Sequence, residues 1–265
     1  VKVAVSGKGG VGKTLVAGAL AWSFARKGIR TIAIDADSSP NLGLTLGLSP
    51  GQVESIIPLS EREDLIESRT RTDYPGVYRL HFTVDDLIEA HALSTPSGPF
   101  LLVMGTVRAP GAGCACPAHA VVRNLLRSLV VERNEAVVVD MEAGVEHLGR
   151  GTAERVDAML VVTDANLKSL QAAGRILDLA RAAGIPRVML VGNRVQGADQ
   201  EESIRAFGRQ RGIPVAALIP FDPAVPAAEI GGRTPLADPG SPAVSAIAGL
   251  GEALLARTVP GSVGM

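Results

Sequence analysis

A chain of 265 residues, 46% hydrophobic and 20% charged with a net charge of -1, is long enough to bury a large core and has the composition of an ordinary globular protein. The near-neutral balance argues against a nucleic-acid binder that relies on a basic surface, and an aromatic content of 3% disfavours a stacking platform for single strands. No apolar run approaches the roughly 18 residues of a membrane span, and the N-terminal run is patterned as a strand rather than a signal peptide, so the expectation is a cytoplasmic protein with neither nucleic-acid nor membrane partners.

In chain order, VKVAVS (1–6) is a short β-branched apolar run that ends on a glycine loop, and LVAGALAWSFARKG (15–28) follows with helical spacing and a terminal glycine. TIAID (31–35), FLLVMG (100–105), EAVVVDM (135–141), AMLVVTD (158–164), RVMLVG (187–192) and PVAALIP (214–220) supply six further apolar runs. Their hydrophobicity is continuous rather than alternating, which means strands covered on both faces and a mostly parallel sheet. Segments near 117–132, 167–183, 200–211 and 242–257 have helix lengths and polar faces, as crossover connections require. The predicted architecture is a doubly wound α/β sheet of seven or eight strands with helices on both faces. It forms one domain over 1–265, interrupted by an insertion at about 50–99 that contains a charged helix at 60–71 and a turn at 94–100.

Ligands of such sheets bind beyond the carboxyl ends of the strands. SGKGGVGKT (6–14) stands there and satisfies two patterns at once, the G-x-G-x-x-G of dinucleotide folds and the G-x-x-x-x-G-K-[ST] of triphosphate loops. Lys13 and Thr14 have work only in the second, where the lysine reaches the β- and γ-phosphates and the hydroxyl meets magnesium. The amides of Gly9, Gly10, Val11 and Gly12 would cradle the anion. Asp35 stands where a dinucleotide fold would hold a ribose, but Asp37 and Asp140 accompany it. Three carboxylates around a phosphate loop suit magnesium and water better than a sugar. Asp35 reads equally well as a strand-end carboxylate that caps the following turn, and Asn193 reads equally well as a turn residue.

The only cysteines are Cys114 and Cys116. Their closeness disfavours a structural disulfide. Pro117 starts the predicted helix behind them, and a helix N-terminus stabilises the thiolate, the form that binds soft metals. A pair of small buried residues and a redox dithiol remain open readings. One C-x-C supplies two ligands, where a closed tetrahedral site takes four.

KGGVGKT (8–14), with a lysine early in the loop, resembles the deviant phosphate loop of the ATPase group that contains ParA, MinD, the nitrogenase iron protein and the arsenite pump. The resemblance implies an ATP-hydrolysing homodimer that sandwiches nucleotide, with Lys8 acting on the phosphates of the other subunit. It also implies that Asp37 orients the attacking water, that Asp140 holds magnesium through water, that Gly144 offers its amide to the γ-phosphate, and that Asn193 lies at the adenine. PFDP (220–223) resembles the last adenine-side loop.

GCACP (113–117), DAD (35–37) and DMEAGVEHLGRG (140–151) together resemble the CooC-type accessory ATPases of carbon monoxide dehydrogenase. That likeness implies a homodimer whose two C-x-C pairs bind nickel or zinc and assist nickel insertion into the dehydrogenase. His119 and His147 read as helix residues outside the site. Two other functions stay open: a ParA/MinD-type spatial-organisation ATPase, against which the proline- and glycine-ended tail counts, and an iron–sulfur reductase of the nitrogenase type, which would use the same four thiolates.

Overall fold

The computed structural model describes residues 1–37, 39–73, 88, 90–105, 134–142, 156–238 and 240–256. Within them the chain runs β1 (Lys2–Gly7), α1 (Lys13–Arg26), β2 (Arg30–Ala36), α2 (Leu42–Thr45), α3 (Pro50–Glu54), α4 (Glu63–Thr70), β3 (Leu93–Ser94) and β4 (Phe100–Val103). It continues as β5 (Glu135–Met141), β6 (Ala158–Thr163), α5 (Leu167–Ala182), β7 (Val188–Val195), α6 (Ala198–Arg211), β8 (Val215–Pro220), α7 (Ala224–Ile230) and α8 (Pro242–Ala256). Two 3-10 turns, Leu59–Glu61 and Pro235–Ala237, precede α4 and α8.

All seven predicted strands are present. They join one eight-stranded sheet in the order β3-β4-β2-β5-β1-β6-β7-β8, parallel throughout except for the antiparallel β3 at one edge. β1 is buried along its whole length, which is why its sequence is continuously apolar. The predicted turn at 94–100 is the loop of the β3–β4 hairpin, closed where the Thr95 hydroxyl donates to the Pro99 carbonyl at 2.6 Å. The predicted helix at 60–71 forms as a 3-10 turn followed by α4, and that at 117–132 lies outside the described residues.

Residues of alternate parity on each strand feed two cores. Val3 and Val5 pack with Leu20 and Phe24 of α1 and Ile247 and Leu250 of α8 on one face. Ala4, Ile32 and Ile34 pack with Leu170 and Leu177 of α5 and Ile204 of α6 on the other. The crossover helices carry their own start and stop signals. Asn166 caps α5 by accepting from the Ser169 N–H at 3.0 Å, and Gly212 closes α6 in the left-handed conformation. From β1 the sheet grows toward β2 and β4 in one direction and toward β6, β7 and β8 in the other. The glycine loop therefore leaves the strand at which the winding reverses, the place where open α/β sheets bind ligands.

Candidate functional site

The loop from Lys8 to Gly12 opens directly into α1, whose first residue is Lys13. Gly12 stands at φ 90°, and a Cβ there would lie 2.3 Å from the Asn193 Nδ2. Glycine is thus demanded twice, by conformation and by the close approach of β7. The Lys13 side chain is 6% exposed, and its ammonium donates to the Lys8 carbonyl at 3.5 Å. Lys8 is half-buried, while Gly9 and Gly10 are exposed at the tip of the loop.

Two carboxylates face the loop from neighbouring strands. Asp35 on β2 is in register with Asp140 on β5, and both are fully buried. Asp35 accepts from the Leu42 N–H at 2.9 Å through one oxygen and from the Asp37 N–H at 3.2 Å through the other. It is thereby tied into the turn after β2, which is the capping role open from its sequence position. Burial raises its pKa to about 6, against the lowering effect of those backbone donors. Asp140 is pushed further, to about 7, first by burial and then by the like charge of Asp35. A hydrogen bond from the Thr14 hydroxyl and the charge of Lys13 act in the opposite direction. Its Oδ1 has no hydrogen-bond partner among the described residues. Asp37 lies half-buried just beyond the strand, where its carboxylate accepts from the Ser39 N–H at 3.0 Å.

An unpartnered buried carboxylate oxygen beside a hydroxyl is a pair of hard oxygen donors suited to magnesium, and the neighbouring lysine supplies a positive charge for phosphate. Thr14 and Asp140 are the residues that would hold it. Bound there with a triphosphate, magnesium supplies charge neutralisation to the phosphates. Among the described residues no cluster of three or more His, Cys, Asp or Glu side chains is arranged for a metal. The ion would accordingly depend on phosphate and water for its remaining ligands. Cys114, Cys116, Gly144, His119 and His147 lie outside the described residues.

From the loop a cleft of about 1080 Å3 extends along the start of α1, between α2–α3 on one side and β8–α7 on the other. Leu15, Asn193, Phe221 and Val225 line one part, and Leu48 and Thr234 another. Asn193, expected at the adenine, stands against the glycine loop with its amide engaged by protein. Its Nδ2 donates to the Val11 carbonyl at 2.8 Å and its Oδ1 accepts from the Arg194 N–H at 2.9 Å. Asp222 of the PFDP segment is also occupied, receiving the Ser241 hydroxyl and the Ala224 N–H. These bonds, the Ser241 one first, lower its pKa. The cleft walls from α2, α3 and α7 were not among the expected site residues, nor was Arg194, whose guanidinium donates to the Gly10 carbonyl at 2.9 Å.

A glycine loop at the turning point of a doubly wound sheet, a lysine and a threonine at the helix start, and a buried aspartate on the adjoining strand define a P-loop nucleotide-binding protein. The chain belongs to the CobQ/CobB/MinD/ParA nucleotide binding domain family, whose model matches residues 2–236. It is 40% identical over 233 residues to the carbon monoxide dehydrogenase accessory protein CooC of Rhodospirillum rubrum, covering 87% of this chain and 88% of that protein. It is also 40% identical over 235 residues, 88% of this chain and 90% of the relative, to an uncharacterized ATP-binding protein of Methanocaldococcus jannaschii. Among solved structures, MinD of Pyrococcus horikoshii complexed with Mg-ADP shares the fold with a TM-score of 0.68 at 20% identity, over 95% of this chain and 94% of that one.

Proposed function

We propose that this protein is an ATP-hydrolysing metallochaperone. On this reading nucleotide draws two subunits together, the Cys114-x-Cys116 pairs of both capture Ni2+ or Zn2+ as cargo, and hydrolysis resets the dimer while nickel is delivered to carbon monoxide dehydrogenase. The observation that carries the reading is the 40% identity to the R. rubrum CooC protein over nearly the whole of both chains. The chain's own chemistry supports it, because two thiolates per subunit are half of a closed tetrahedral site and a symmetric pair supplies the rest.

In the proposed reaction Lys13 binds the β- and γ-phosphates, with the amides of Gly9 to Thr14 around them and that of Gly144 at the γ-phosphate. Asp37 orients the attacking water, since its half-buried carboxylate lies just beyond the end of β2. Lys8 of the partner subunit stabilises the charge that develops on the transferred group, as a cation supplied across an interface does in other phosphoryl transfers. Asn193 shapes the adenine end by bracing Val11. MinD-type spatial organisation would use the same nucleotide chemistry without the cysteines.

Size-exclusion chromatography with elemental analysis, with and without ATP, tests this on the wild type and on Cys114→Ala/Cys116→Ala. The wild type is expected to elute as a dimer with one nickel or zinc per two chains, and the double variant to lose the metal. Metal retained at that ratio by the double variant overturns the site. Iron with a visible charge-transfer spectrum in anaerobically purified protein would replace it with a cluster.

A further inference from the structure

β7 ends in a distortion that serves the phosphate loop. Its pairing with β8 changes register between Gly192 and Val195, so Asn193 and Arg194 stand in a bulge, a device that re-aims side chains next to functional sites. Arg194 is the one non-glycine residue with positive φ among the described residues, at 57°. For a residue with a Cβ that conformation is unfavourable and persists where surrounding contacts hold it. Two contacts do so. The Arg194 N–H donates to the Asn193 Oδ1, and its Nη1 donates to the Gly10 carbonyl at 2.9 Å, across 184 positions of chain.

Among the described residues the turn that carries the Gly10 carbonyl has few other ties, one of them the Lys13 ammonium on the Lys8 carbonyl at 3.5 Å. The Val11 N–H reaches back to the Lys8 carbonyl at 3.4 Å, and Gly10, third in the turn, has φ 81°, the sign a type II turn requires there. Among the described residues, a Cβ on Gly9 or Gly10 would meet nothing within 4 Å. Two consecutive unpacked glycines leave the backbone its greatest freedom. Lys8 is the first residue of this turn. Asn193 secures the inner half of the loop through Val11, and Arg194 secures the outer half through Gly10.

We propose that Arg194 is a positioning residue for Lys8. By gripping the Gly10 carbonyl, it fixes the Lys8–Val11 turn so that the Lys8 ammonium is presented to the partner subunit's nucleotide. This rests on the reading of Lys8 as acting in trans. A guanidinium suits the task because its donors form a rigid fork, whereas an ammonium is a point charge without direction. Arg194 also lines the cleft beside Asn193. A base seated there confines the side chain that holds the turn, so loading of the nucleotide and presentation of Lys8 reinforce each other.

ATP turnover, followed in long single-turnover incubations, and ADP affinity by calorimetry test the proposal on Arg194→Ala, Arg194→Gly, Lys8→Ala and the Lys8→Ala/Arg194→Ala pair. Arg194→Ala is expected to lower the rate about tenfold while the ADP dissociation constant moves less than about threefold, because Val11 and Lys13 keep their own ties. Arg194→Gly, which accepts a positive φ freely, is expected to be equally slow. Wild-type turnover in that variant overturns the proposal, since backbone strain and not the guanidinium would then explain the alanine result. In the Lys8→Ala background the second substitution is expected to cost nothing more, and additive losses also overturn it. Wild-type turnover in Lys8→Ala sinks the trans reading and this inference with it. A slow Lys8→Ala beside an unimpaired Arg194→Ala sinks this inference alone.

Discussion

Asp140 carries its carboxylate into a place where the folded chain favours the acid form. Burial raises its pKa to about 7 and that of Asp35 to about 6, from unfolded values near 3.8. Between about pH 4 and 7 the folded protein therefore binds more protons than the unfolded chain. The stability these groups confer is complete at the acid end of that window and is lost as pH rises through the folded pKa values. Asp222, whose pKa is lowered, adds stability that is fully present above the unfolded value and does not oppose the trend within the window. Asp140→Asn removes the burdened charge. In nucleotide- and magnesium-free protein, the variant is expected to melt on the order of 5 °C above wild type at pH 8. The gap should close toward pH 5, and thermal denaturation at the two pH values measures it. A difference independent of pH would show that the charge is not what is being removed. Lys13 and Thr14 were legible in the sequence from the G-x-x-x-x-G-K-[ST] pattern, and Asp35 and Asp140 because each stands at the end of a buried run, where a polar residue has to lie at the ligand edge. The tie of Asp222 to Ser241 was not, because it depends on how α8 returns to the end of β8.

β7 shows at the scale of an element what a strand end does for a loop distant in sequence. The bulge leaves Asn193 2% exposed with its amide on the Val11 carbonyl. Asn193→Ala leaves that buried carbonyl unpaired, a cost of about 1–3 kcal/mol, and frees the loop to turn its amides away from the phosphates. ADP affinity by calorimetry is expected to fall about tenfold, which corresponds to about 1.4 kcal/mol at 25 °C. Unchanged affinity would mean that the loop holds its shape without the brace. Elements of this size were legible wherever the hydrophobic pattern is long. The strands flanking β1 read as continuous apolar runs, and α5 and α8 as helical ones. β3 has two residues and α2 has four, too few for a period to be seen. α3 did carry a readable signal, since Ser49 and Gln52 form a capping box with Pro50 behind the cap. The bulge itself has no signature in composition, which is why Arg194 stood outside the expected site.

At the scale of the whole molecule, the strand order joins the nucleotide site to the stem of the cysteine-bearing segment. Continuous apolar runs announce a parallel sheet, but which strand lies beside which follows from the crossovers, and the placing of β2 between β4 and β5 became visible only in three dimensions. The Asp35 carbonyl accepts from the Met104 N–H at 2.8 Å, and the Met104 carbonyl accepts from the Ser60 N–H at 3.0 Å. Gly105 then turns at φ 67°, and a Cβ on it would lie 2.6 Å from the Ser60 Oγ and 2.7 Å from the Pro58 Cβ. Pro58 and Ser60 therefore grip the chain just before it continues toward Cys114 and Cys116, and β2 ties the same point to the buried carboxylates. If ATP and metal act on one dimer as proposed, each must tighten the other by the same factor, commonly about 5- to 150-fold, because linkage between binding free energies is reciprocal. Calorimetric titration of nickel with and without a non-hydrolysable ATP analogue, and of the analogue with and without nickel, measures both arms in wild type and Gly105→Ala. Gly105→Ala must shift either its own backbone or the Ser60–Pro58 wall, so both factors are expected to shrink together toward one while each ligand alone still binds. Coupling of wild-type size in Gly105→Ala would place the link elsewhere, and a wild type in which nickel and nucleotide bind independently would remove the reason for building a metal carrier on a nucleotide switch.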